Sequence, residues 1–154
     1  LYRIAFQITG DENISEDLCQ EAFIRYYRRV IPLPDVDQAK YWLIRVVKNL
    51  ALNHEKRRGR EHKANYRFSQ EPAAELRSGE SQLLRNESAR IVREALAKLP
   101  FKLRTVIVLR EYGDLSYQEI AKVVGISESN VKVRVFRARE QLRKYLNEEE
   151  VDVS

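Results

Sequence analysis

The sequence predicts an all-α protein: two small helical domains joined by a flexible linker. Three observations carry this. Apolar residues recur at three- and four-residue steps along most of the chain, which is the period of one helix face. Between 59 and 80 that period stops and polar and charged residues take over, with Pro72 and Gly79 among them, as in a tether. The stretch NVKVRVFRAR, Asn130 to Arg139, alternates like a strand, yet its alternation dissolves when a longer window is read. The expected boundaries are 1–58 for the front domain, 59–80 for the linker, 81–147 for the back domain and 148–154 for an acidic tail.

Taken in order, Leu1, Ile4, Ala5 and Ile8 keep helical spacing until Gly10 and Asp11 stop it. Asn13 and Glu16 then have the spacing of a capping box and open a second helix, whose stripe is Leu18, Ala22, Phe23, Tyr26 and Val30; Pro32 and Pro34 end it. The third helix is the most regular, with Ala39, Trp42, Leu43, Val46, Val47 and Leu50 on one stripe, and it runs out in EKRRGR. Order is expected to resume near Ser81, with Leu84, Ser88, Ile91, Val92, Ala95, Leu96 and Leu99 on a fourth helix. Pro100 suits the first position of a fifth, which carries Leu103, Val106, Ile107, Val108 and Leu109 before Gly113 and Asp114 turn the chain.

Ser116 and Glu119 form a second capping box, opening a short helix with Ile120, Ala121 and Val124 inward, and Gly125 supplies the turn. Ser127 caps the last helix, on which Val131, Val135, Ala138, Leu142 and Tyr145 fall on one face. A short helix, a glycine turn and a second helix with Val131 inward match a helix-turn-helix. Ser129, Lys132, Val133, Phe136 and Arg137 then point outward, flanked by Asn130, Arg134 and Arg139. Exposed apolar groups among basic ones suit the major groove, where thymine methyls take apolar contact while guanine edges and phosphates take Arg or Lys. Six basic residues against two acidic ones between Ser127 and Leu146 favour DNA binding over an ordinary solvated face.

The 154 residues carry a formal net charge of +5 with 33% charged residues, so the clustering of charge says more than its sum. A lone cysteine, Cys19, excludes an intrachain disulfide and fits a reducing, cytoplasmic setting. No apolar run approaches the roughly 18 to 20 residues of a membrane span, so no membrane insertion is expected. No basic-then-apolar leader precedes Leu1, and the start inside LYRIAFQI, in a chain without methionine, leads to the expectation that part of the first helix is missing. Catalysis is not expected. His54 and His62 lie in a basic tract without spaced metal-ligating partners, no glycine-rich phosphate loop occurs, and the acidic neighbours of Cys19 raise its pKa. Neither metal nor cofactor is called for.

Consecutive helices of the front domain carry opposite charge. Asp17, Gln20 and Glu21 sit beside Phe23 on the second, an acidic outward patch. Arg45, Lys48, Asn49, Asn53, Lys56 and Arg57 line the third helix on the side away from Trp42 and Leu50, where asparagine amides suit bases and cations suit phosphates.

EDLCQEAF, then YWLIRVVKNLA, then LSYQEIAKVVGISESNVKVRVFRAREQLRKYL together resemble the bacterial extracytoplasmic-function (ECF) sigma factors, over nearly the whole chain and in the family's order. The resemblance implies a factor that binds core RNA polymerase and directs promoter recognition, DNA melting and transcription initiation. It places Asp17, Gln20, Glu21 and Phe23 against the clamp helices of the largest polymerase subunit. It has Asn49 holding a flipped base of the minus-ten element and the Pro32 to Lys40 loop setting base preference, so that Lys40, Arg45, Lys48, Asn53, Lys56 and Arg57 around them are expected at the same element. Ser127, Ser129, Asn130, Lys132, Arg134, Phe136 and Arg137 fall to the minus-thirty-five element. An anti-sigma partner is implied as well. The competing reading is an autonomous helix-turn-helix regulator with a separate helical sensing domain, which leaves the paired acidic and basic front helices unexplained.

Overall fold

The computed structural model describes the backbone of residues 1–65 and 87–153 and the side chains of 1–63 and 87–148. Among the described residues it is helical throughout, with no strand: α1 (Tyr2–Thr9), α2 (Glu12–Tyr27), α3 (Val36–Asn65), α4 (Glu87–Lys98), α5 (Phe101–Glu111), α6 (Tyr117–Val124) and α7 (Glu128–Val153). None of these helices is long and apolar enough to cross a membrane.

Gly10 ends α1 in the left-handed region, φ 72°, and its N–H donates to the Phe6 carbonyl. The cap of α2 is Asp11, whose carboxylate accepts from the Ile14 N–H at 3.1 Å, so the helix starts ahead of the expected Asn13. Asp11 wins because its extended backbone follows directly from the Gly10 turn. The stripe expected on α2 also changes. Ala22 is fully buried, Leu18 and Tyr26 are half-buried, Phe23 is exposed, and Val30 lies beyond the helix with almost its whole surface in solvent. The small residues Ser15 and Ala22 form the true inner face. The Ser15 hydroxyl is satisfied by the Asp11 carbonyl at 2.6 Å and lies 2.9 Å from the Thr9 hydroxyl.

Helix α3 is covered on two sides. Val47 packs with Ala5 and Ala22, while Ile44 and Ala51 join a larger cluster with Ile4, Ile8, Leu96, Leu99, Val106 and Val131. The single stripe read from the sequence therefore captured one side only. The helix also runs through Gly59 to Asn65, past the expected end of the front domain at 58. One glycine in an exposed helix costs only about 1 kcal/mol relative to alanine, too little to end a long helix. The rest of the expected linker, and the expected start of ordered chain at Ser81 with Leu84, lie outside the described residues.

Helix α5 is the centre of the fold, buried all round from Arg104 to Leu109. Pro100 caps it rather than occupying its first turn, and its carbonyl accepts from Leu103 and Arg104. At the turn after α5, a Cβ on Gly113 would stand 2.7 Å from the Leu109 carbonyl oxygen, so only glycine fits. Asp114 takes the left-handed conformation there, φ 58°. The capping box of Ser116 and Glu119 forms on α6, and Gly125 closes that helix at φ 81°. Ile120 and Val123 are its buried residues; Ala121 and Val124, expected inward, are half-buried. Ser127 caps α7 through the Asn130 N–H. Val131, Val135 and Ala138 are fully buried, with Leu142 and Tyr145 packed on the same core, which settles the helical phase of NVKVRVFRAR. The helix continues to Val153, so the expected tail begins inside it.

The front and back halves share one core, and a buried guanidinium joins them. Arg104, 8% exposed, donates from Nε to the Leu96 carbonyl at 3.0 Å, from Nη1 to the Ile8 carbonyl at 3.0 Å, and from Nη2 to the Leu99 carbonyl at 2.8 Å. It also forks onto Glu55 at 2.9 and 3.2 Å. Ile8 and Leu96 lie in the last turns of α1 and α4, where carbonyls lack partners within the helix and carry partial negative charge. One side chain thus serves two helix ends and the α3 carboxylate.

Removing it should be costly. Arg104→Ala leaves the buried Ile8 and Leu99 carbonyls without a donor, takes one of two from Leu96 and unpairs Glu55, and a loss of about 3 kcal/mol is expected in urea unfolding of the full chain; Arg104→Lys, lacking the planar fork, should recover only part of it. A loss under about 1 kcal/mol would contradict the role. On α7, Val135→Ala should cost on the order of 2 kcal/mol, whereas its exposed neighbour Phe136→Ala should stay within about 0.5 kcal/mol of the parent in the same measurement.

Candidate polymerase and promoter interfaces

On α2 the residues after the buried Ser15 turn outward. Asp17 and Gln20 are exposed, Phe23 is 42% exposed, and Glu21 is half-buried with its carboxylate 2.9 Å from Arg25 Nε. That pair is a surface i,i+4 contact worth roughly 0.3–0.5 kcal/mol, easily exchanged for another partner. The patch extends further than the sequence reading took it: Ile24, Tyr27, Val30, Ile31 and Val36 are also exposed. An apolar run through the proline-bearing segment YYRRVIPLP was the available signal, since such residues are seldom left in solvent together without use. Trp42 anchors the start of this segment, with Tyr26 at 6.1 Å between ring centroids and the Arg29 guanidinium 4.9 Å above its ring. The Pro32 to Lys40 loop is shorter than expected, because α3 begins at Val36 and Asp35 caps it through the Gln38 N–H at 2.8 Å. Cys19 has a raised pKa, but burial is the cause rather than acidic neighbours.

The polar side of α3 divides in two. Asn49, Asn53, Lys56 and Arg57 are exposed, as is Lys40. Arg45, also exposed, donates from Nη2 to the Lys122 carbonyl of α6 at 2.9 Å, and Lys48, half-buried, has its ammonium pKa pushed down by burial and by Arg45 beside it. Tyr41 was not among the expected site residues. Its hydroxyl donates to the Glu119 carboxylate. This bond, with burial adding to it, pushes the Tyr41 pKa up to about 12. The same bond, with the Ser116 backbone and hydroxyl, holds Glu119 at about 2. Glu119 therefore both closes the capping box and touches the front domain.

On α7 the outward face stands as expected. Ser129, Asn130, Lys132, Val133, Phe136 and Arg137 are exposed, Phe136 by 62%, and Arg134 is half-buried. Lys132 lies 3.7 Å from Glu128, a loose surface pair. The hydroxyl of Ser127 is engaged as the cap of α7, accepting from the Asn130 N–H at 3.2 Å. Behind this face, Arg139 of α7 pairs with Glu111 at the end of α5 at 3.1 Å.

Comparison with known proteins follows the same division. The Sigma-70 region 2 profile matches residues 1–61 and the Sigma-70, region 4 profile matches residues 89–142. RNA polymerase sigma-H factor of Pseudomonas aeruginosa is 36% identical over 88% of the chain and 75% of its own length. ECF RNA polymerase sigma factor SigW of Bacillus subtilis is 31% identical over 96% of the chain and 83% of its length. The Escherichia coli K12 ECF RNA polymerase sigma-E factor is 36% identical over 82% and 70%. In fold, the chain is similar to the sigma factor RpoE of Bartonella quintana, solved with the anti-sigma factor NepR, at TM-score 0.71 and 22% identity over 95% of this chain and 89% of that one. With two region profiles in order on one helical body, and relatives of this similarity along most of their length, the chain belongs to the ECF RNA polymerase sigma factors.

Proposed function

We propose that this sigma factor serves transcription initiation in the cytoplasm through three separate surfaces. The outward patch of α2, Asp17, Gln20, Glu21 and Phe23, grips the clamp helices of the largest subunit of core RNA polymerase. The polar side of α3, from Lys40 through Arg45, Lys48, Asn49 and Asn53 to Lys56 and Arg57, holds the melted minus-ten strand, with Asn49 bonding an unstacked base. The outer face of α7, with Ser127, Ser129, Asn130, Lys132, Arg134, Phe136 and Arg137, reads the minus-thirty-five duplex.

The observation that carries this reading is the exposed Val133 and Phe136 set among Lys132, Arg134 and Arg137, on a helix whose opposite face is fully buried. Groove reading asks for that mixture; a solvated face does not. An anti-sigma factor is a fitting partner, as one accompanies the Bartonella relative. The competing idea of an autonomous regulator gains nothing from the relatives, all named as sigma factors.

Asp17→Ala with Gln20→Ala should weaken capture by core polymerase while leaving the helical circular dichroism unchanged, because both side chains are exposed. Full binding by the folded double variant would remove the patch from the mechanism. Asn49→Ala should spare closed-complex formation and impair promoter opening, measured as permanganate reactivity in the melted region, because the proposed partner of its amide is an unstacked base that the duplex hides. Equal losses at both steps would count against that role.

A further inference from the structure

We infer that the cavity lined by α1, α3, α4 and α5 is a binding site for a small phosphorylated molecule, separate from the three surfaces assigned to polymerase and promoter. Its volume of about 420 Å³ lies within the range of small-molecule sites.

The wall supplied by α3 carries the argument. His54, Arg58 and His62 recur at steps of four and so share one side of the helix, with Glu55 and Gly59 beside them. Asn49, Asn53, Lys56 and Arg57 fall on the opposite side, so the cavity is not part of the strand-holding surface. Facing it, α4 contributes Arg93 and α5 contributes Arg104. Arg104 and Glu55 balance each other's charge through their ion pair at 2.9 Å. Arg58 and Arg93 pair with no carboxylate among the described residues. Arg93 is nevertheless half-buried, its guanidinium 5.6 Å over the Phe6 ring. Two surplus cations thus line one concavity, and a cleft of one sign concentrates counter-ions.

That surplus selects the ligand. Two positive charges match a phosphate monoester, which carries about −1.5 to −2 at neutral pH, and guanidinium forks engage its oxygens in pairs. The two imidazoles each offer an N–H whether neutral or charged. Phe6, Ile8 and Ala51 give the cavity an apolar wall for the organic remainder of such a molecule. Gln7, in the same lining, carries a buried side-chain oxygen that finds no donor among the described residues, and an acceptor left this way is in keeping with a polar occupant.

The test titrates ribose 5-phosphate and AMP into the full chain by calorimetry, with ribose and adenosine as their uncharged counterparts. At least one phosphomonoester should bind saturably, one per chain, and neither counterpart should. Arg58→Gln with Arg93→Gln should weaken that binding about tenfold or more. Arg60→Gln with Lys63→Gln removes the same charge from exposed positions of α3 outside the cavity and should leave binding within about twofold. Gly59 lines the cavity and a Cβ there meets nothing within 4 Å, so Gly59→Leu crowds the cavity without changing its charge. It should weaken binding as the paired arginine variant does, and it carries the test if that variant fails to fold. Absence of binding by both phosphomonoesters would overturn the inference, as would undiminished binding by Gly59→Leu or equal losses in the two double variants. Displacement of the bound phosphomonoester by excess random-sequence duplex would overturn it too, since the phosphates recognised would then be those of DNA.

Discussion

The arrangement depends on burying one guanidinium. A cation taken from water is tolerable only where acceptors surround it. Arg104 meets that condition because two helices end at the same place: α1 offers the Ile8 carbonyl, α4 offers Leu96, and the chain after α4 offers Leu99. Glu55 supplies the balancing charge, partly in solvent, which lowers the desolvation cost of the pair. The Ile8, Leu96 and Leu99 carbonyls at these helix ends thereby find a donor inside the core. The two halves are therefore joined by polar chemistry as well as by apolar area, and polar chemistry fixes register where oily contact alone tolerates sliding.

What the sequence disclosed was whatever depends on neighbours in the chain. The capping box of Ser116 and Glu119, the left-handed Gly125, and the buried series Val131, Val135 and Ala138 are all determined within a few residues, and each stands as expected. The exposure of Val133 and Phe136 followed from the same phase. Arg104 was invisible because its partners lie as far as 96 positions away, and an arginine in an apolar helix looks like a surface residue until its acceptors are known. Ile44 and Ala51 were missed for a related reason: a helix covered on two sides has an apolar arc too wide to show as one stripe. Competition between neighbouring signals accounts for Asp11 displacing Asn13 as the cap of α2.

The candidate surfaces were legible in the same measure. Residues whose role is to stay outside, such as Asp17, Gln20, Asn49 and Arg137, needed only the helical phase. Tyr41 and Glu119 needed a contact between halves separated by 78 positions, and no local pattern announces one. Lys48 shows the intermediate case. It was placed on the correct side of α3, but its half-burial, with the lowered pKa that follows, came from packing. Cys19 behaved likewise, shifted in the expected direction by a different cause.

The double coverage of α3 bears on how such a protein can diverge. Val47 is committed to one neighbour, Ile44 and Ala51 to another, and Tyr41 and Arg45 bond to α6, so changes at these positions of the helix disturb a packed surface or a contact between the halves. The segment before it is different: Val30, Ile31, Pro32 and Pro34 are exposed, and a change there moves no core side chain. Substitutions in that short connection and at the exposed positions of α7 are therefore the ones this packing tolerates most readily, and those at the buried positions of α3 the ones it tolerates least.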